Sequence, residues 1–189
     1  MKQTDKLKKH PNSTKKQPNR TRTLVFAALC CALGVALPMT VHGIPGAGLV
    51  FLPMHLPVLL CGLLCGPVWG LACGAVTPVV SCLATGMPPA AKLPVMLCEL
   101  AAYGAVSGLA VRWVRVHSRA GRLYLSLAAA MLAGRVVSGL AGGLVFGAGT
   151  TLRSWVTVSF VTALPGIVIQ LILLPALVLA LQKAGLADG

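Results

Sequence analysis

Four side chains capable of polar chemistry interrupt the apolar stretches of this 189-residue chain: His55, Glu99, Arg135 and Gln170. Glu99 lies in "VMLCELAAYG" (95–104) and is one of three acidic residues; Asp5 and Asp188 sit near the two ends. A carboxylate and a guanidinium in oily surroundings can form an ion pair, hold a polar ligand, or do both. Charged residues at the centre of a membrane span each cost at least ~2.5–3.5 kcal/mol, so both are expected to face other helices and not lipid. Tyr103 follows Glu99 by one helical turn, and Ser138 follows Arg135 by about one turn, which adds a hydroxyl to each face. The chain contains no HExxH, no Gly-x-Ser-x-Gly and no P-loop lysine. With a single Glu and no Asp in the apolar stretches, a carboxylate pair inside a bilayer is excluded. No catalytic residue is assigned, and the chain is read as a non-enzyme.

The elements that position these residues follow from composition. Hydrophobic residues make up 57% and charged residues 10%, with a mean hydropathy of +0.86. A soluble domain carries about 25% charged residues. The apolar runs are long, and about 20 such residues cross the hydrocarbon of a bilayer as a helix. The expected fold is an all-α membrane protein with six transmembrane helices. The segments run over about 24–37, 50–66, 68–86, 93–112, 123–147 and 154–182. Pro38 stops the first or lets it run slightly further, Gly66-Pro67 turns the second into the third, and Pro165 and Pro175 lie inside the sixth. The domain reading is a basic tail over 1–23, a membrane domain over 24–183 and a short C-terminal tail over 184–189. "LVFAALCCALGVALP" after a basic tail has the outline of a signal peptide. Its repeated small residues argue for a retained first span.

Charge sets the orientation. The formal net charge is +13, and eight of the sixteen Lys/Arg fall within residues 1–22. With both termini cytoplasmic, the inside holds those eight, Arg112, Arg115, Arg119 and Arg122 between segments four and five, and Lys183. The outside holds Lys92 and Arg153. That asymmetry obeys the positive-inside rule. The tail offers no aromatic residue to stack on a base, so nucleic acid is not the expected partner and anionic lipid is. The seven cysteines lie in apolar runs without metal-ligand spacing and are read as small hydrophobes, so no metal is expected.

Depth can be counted along the helices at about 1.5 Å per residue. Glu99 falls roughly 9 Å below the outer face, and Arg135 roughly 12 Å below it in a core of about 30 Å. The opposite charges thus share a level. His55, Ser81 and Thr85 also lie near the outer surface, with Gln170 deeper. This gathering fits a small polar pocket opening outward, or a Glu99–Arg135 bridge that only joins two helices. The outer connections "PMTVHGIPGAG" (38–48) and "TGMPPAAK" (85–92) are lids over such a pocket or plain turns. Small residues recur at helical spacing in Ala28/Ala32/Ala36, in Gly104/Gly108 and in Gly139/Gly143/Gly147. The glycine stripes are expected to pack internally, and the alanine stripe to be open to a partner.

Three stretches carry a resemblance: "LPMHLPVLLCGLLCGPVWGLACGAVTPVVSCLATGMPP" (52–89), "MLCELAAYGAVSGL" (96–109) and "LPGIVIQLILLPALV" (164–178). They resemble the substrate-binding S components of energy-coupling factor (ECF) vitamin transporters. The resemblance implies a six-helix bundle in the bacterial cell membrane, with ligand held near the outer face beneath the first and third connections. It makes His55, Ser81, Thr85, Glu99, Tyr103, Arg135, Ser138 and Gln170 the substrate-binding candidates. It also makes Ala28, Ala32 and Ala36 a docking stripe for a membrane coupling subunit. Two cytoplasmic ATPases would use ATP, and this chain would bind no cofactor itself. The substrate would be pantothenate, riboflavin, pyridoxine, hydroxymethylpyrimidine, folate or a cobalamin precursor. Arg135 suits a carboxylate such as pantothenate, with Glu99 competing for it. A self-sufficient permease and a non-transport membrane assembly protein are the alternatives.

Overall fold

A computed structural model describes residues 20–40, 47–116, 118–147 and 152–184. Asp5, Asp188, most of the basic tail and much of the first outer connection lie outside the described residues. The described residues form helices joined by short connections, without a strand among them. The helices are α1 (Arg20–Thr40), α2 (Ala47–Phe51), α3 (His55–Cys65), α4 (Pro67–Thr85), α5 (Leu93–Trp113), α6 (Arg119–Phe146), α7 (Leu152–Val156) and α8 (Leu164–Lys183). A π-helical turn over Thr157–Thr162 joins α7 to α8. Five of these helices are long and apolar enough to span a membrane, and α3 is a shorter apolar helix.

Two of the six expected segments are broken. The second, expected as one helix over 50–66, splits into α2 and α3 around Leu52–Met54. Pro53 has no N–H to continue a helix, and Leu52 adopts a left-handed φ of 50°. The sixth, expected as one helix over 154–182, is α7, the π-helical turn and α8, with Ala163 between the last two. Pro165 does not lie inside that run; it sits in the first turn of α8, where its missing N–H costs nothing. Pro38 lies inside α1, which runs slightly past it to end at Thr40, the second of the two expected outcomes. Pro175 lies inside α8 as expected.

The bundle is built around α5, which lies against α3, α4 and α6, while α1 covers α3 and α4. On the other side α8 touches α2, α3 and α6. Val58, Leu59, Leu100, Tyr103, Leu127, Leu174 and Val178 are almost fully enclosed between these helices. The outward surface is studded with apolar side chains such as Leu29, Leu83, Leu140, Leu144 and Ile172. Such a surface suits lipid, whose tails are as apolar as leucine.

Three helices meet main chain against main chain. A Cβ on Gly62 of α3 would strike the Gly104 carbonyl of α5; one on Gly104 would strike the Gly70 carbonyl of α4; one on Gly74 would strike the Leu100 carbonyl. Gly108 is likewise pressed against Pro67. The internal packing expected for Gly104 and Gly108 is therefore present, with Gly62, Gly70 and Gly74 as its other half. In the second glycine stripe only Gly139 is packed, under the Trp155 ring, while Gly143 and Gly147 face open space. Cysteines serve the contacts of α1: Cys31 Sγ lies 3.3 Å from Cys73 Sγ of α4, and Cys65 Sγ of α3 reaches the Thr23 carbonyl at 3.7 Å.

Candidate functional site

His55 is the first residue of α3, where the chain re-enters the helix after the break. Glu99 and Tyr103 occupy successive turns on one face of α5, and Arg135 and Ser138 do so on α6. The bundle brings these faces together. Arg135 Nη1 donates to Glu99 Oε1 at 3.0 Å, and His55 Nε2 lies 3.5 Å from the same oxygen. The His55 and Tyr103 rings meet edge to face, with centroids 5.0 Å apart and an interplanar angle of 77°. The Tyr103 and Ser138 hydroxyls lie on the same two buried helix faces as Glu99 and Arg135.

The cluster is closed. His55 is 3% exposed, Glu99 8%, Arg135 6% and Tyr103 2%. Enclosure makes the pairing decisive, because a buried charge that loses its partner is left uncompensated. The pairing is also incomplete. Arg135 Nη2 and both ring nitrogens of His55 are shut off from solvent with no hydrogen-bond partner. A buried polar group left without a partner costs about 1–3 kcal/mol, and more when charged. The closed packing fits the bridge reading of Glu99 and Arg135, apart from these unpaired donors; above the cluster lies a roof that is not helical.

That roof is the break between α2 and α3. The Leu52 carbonyl, freed by the interruption, accepts from the His55 backbone N–H at 3.1 Å and from Gln170 Nε2 at 3.2 Å. Gln170 is 2% exposed, so α8 holds the break in place through a buried bond across the bundle. Gly166, one turn earlier on α8, leaves room for the carbonyls of Val50 and Phe51. The Leu52 carbonyl was invisible to a reading of side chains; the signal for it was the Pro53 that follows.

Ser81 and Thr85 do different work. Ser81 Oγ donates to the Met87 carbonyl at 2.7 Å, and Thr85 Oγ1 to the Ser81 carbonyl at 2.8 Å. The Met87 N–H donates back to Thr85 Oγ1 at 3.2 Å. These bonds shape the connection after α4, which contains a cis Met87–Pro88 peptide. They are spent on backbone and are not part of the His55–Glu99–Arg135 contacts. A groove of about 280 Å³ lies beside them, lined by Pro38, Met39, Ala84, Thr85 and Met87. On α1 the buried residues are Ala27, Cys30 and Gly34, whereas Ala28, Ala32 and Ala36 all lie on its exposed face.

Comparison with protein families matches the chain to the ECF transporter, substrate-specific component, over residues 22–178. Neither a curated protein nor a solved structure matches it. The match runs from the first turn of α1 into the later turns of α8, so it covers all or most of every helix described above. The chain belongs to the substrate-specific components of ECF transporters.

Proposed function

We propose that this chain is the membrane-embedded, high-affinity binding subunit for a vitamin or vitamin precursor. Membership of the family makes it a transport subunit and not an enzyme, and one that associates with ECF coupling components and ATPases. The finer reading is supported by one observation above all: a buried Glu99–Arg135–His55–Tyr103 cluster sits under a broken helix, with donors left over. A bridge that served only to join α5 and α6 would have no need of a third side chain, His55, that closes on Glu99 and still has ring nitrogens without a hydrogen bond. In this reading His55, Glu99, Tyr103, Arg135 and Ser138 contact ligand, and Gln170 positions the roof. Ser81 and Thr85 shape the second lid. The open alanine face of α1 meets the coupling subunit, and energy comes from ATP hydrolysed by the partners. The chain resides in the bacterial cell membrane with the basic loops inside.

The test is to purify the chain in detergent and identify by mass spectrometry what denaturation releases. A vitamin or its precursor at near one per chain is expected, and its loss from folded Arg135→Ala. An empty wild-type chain that carries solutes by itself in vesicles points to a permease; an empty and inert one points to an assembly role. Either result removes this proposal.

A further inference from the structure

We propose that the site accepts a small monoanionic ligand, its carboxylate received by Arg135 Nη2 and His55 at the start of α3. This rests on the binding-subunit reading and adds the charge of the substrate to it.

Three observations converge. The Arg135 guanidinium uses Nη1 for Glu99, while Nη2 is buried and without a partner. Both His55 nitrogens are buried and without a hydrogen bond, although Nε2 is close to Glu99. The 11-residue α3 begins with no side-chain cap and no acidic residue in its first turn. At that end the His55 N–H is given to the Leu52 carbonyl and Pro57 has none to give, so the dipole adds only its long-range field, with no acidic side chain to offset it. A guanidinium arm, an imidazole and a helix start share one preference, an acceptor with negative charge.

Glu99 does not cancel that preference. Its contact with Arg135 is through one nitrogen, so a second oxyanion can take the other arm, as the fork of a guanidinium allows. A cationic ligand brings donors, and the unpaired arm of Arg135 is itself a donor that such a ligand leaves unsatisfied. A dianionic phosphate carries the larger desolvation cost in a closed site. A carboxylate is the anion that the arrangement holds most cheaply. Gln170 is not needed as a contact, since one of its two amide N–H groups already holds the Leu52 carbonyl. Access runs through the break at residues 52–54, where the roof is not helical and His55 is the first helical residue.

Matched probes test the charge. Binding to the detergent-purified chain is measured by thermal shift and calorimetry for pantothenate against panthenol, nicotinate against nicotinamide, and biotin against biotin methyl ester. Pyridoxal 5′-phosphate and thiamine supply the dianion and the cation. At least one carboxylate is expected to bind about tenfold or more tightly than its uncharged partner, an increment of about 1.4 kcal/mol. Arg135→Gln is expected to abolish that preference. Should that variant misfold, the paired Glu99→Gln/Arg135→Gln chain removes both charges together and carries the same expectation. Equal binding of charged and uncharged partners, preference for the phosphate or for thiamine, or binding by none of the carboxylates overturns the assignment. A neutral or cationic vitamin that co-purifies would overturn it too, and would leave the binding-subunit reading standing.

Discussion

At the scale of residues, the molecule turns on one ion pair and what surrounds it. Glu99 and Arg135 are separated by 36 positions and come together at 3.0 Å. Counting helical rise from each membrane face put them at one level, and that part of the site was legible in the sequence. Height was all that counting gave. Ser81 and Thr85 share the level as well, yet their hydroxyls are bound to the Met87 and Ser81 carbonyls. Rise along an axis says nothing about the direction a helix face takes once neighbours are chosen. The pair makes a sharp prediction. Glu99→Gln leaves Arg135 buried without an anion and is expected to lower stability by about 3–5 kcal/mol. Adding Arg135→Gln is expected to restore most of that, because two neutral amides have no uncompensated charge. Unfolding midpoints of the three variants in detergent measure both effects.

At the scale of elements, sequence patterning located every apolar segment but not the interruptions. Pro53 and Pro165 were read within continuous spans, as membrane helices allow. The structure places one beside a break and the other at a fresh helix start. The difference lies in what the freed backbone finds. At Leu52 the carbonyl is claimed by a side chain from the far end of the chain, Gln170, 118 positions away. No local pattern encodes such a partner. Gln170→Leu removes it and leaves a buried acceptor short of one bond, at a cost of about 1–3 kcal/mol. The variant is expected to stay folded, to melt at a lower temperature and to release bound ligand faster. Dissociation after dilution, followed by filter binding of radiolabelled ligand, checks the second effect.

At the scale of the whole molecule, hydropathy gave the class, an all-helical membrane protein, while the backbone seam among α3, α4 and α5 was only half legible. Gly104 and Gly108 stood out as a stripe; Gly62, Gly70 and Gly74 complete it across two other helices. The exposed face of α1 has the opposite character: Ala28, Ala32 and Ala36 lie open between exposed leucines, with none of the described residues packed upon them. Ala32→Leu should abolish ATP-driven uptake in cells that hold the coupling components, while ligand binding by the isolated chain stays within about twofold, since the site lies on other helices. Normal uptake by that variant would remove α1 from the docking surface. The glycine seam has a mechanical corollary. Helices that touch through bare peptide groups have no cushion of rotamers to slide upon, so α3, α4 and α5 behave as a single stave. Any swing that admits or frees a cargo is then left to the parts hung from its edges: the short α2 flap and the interrupted run that ends in α8.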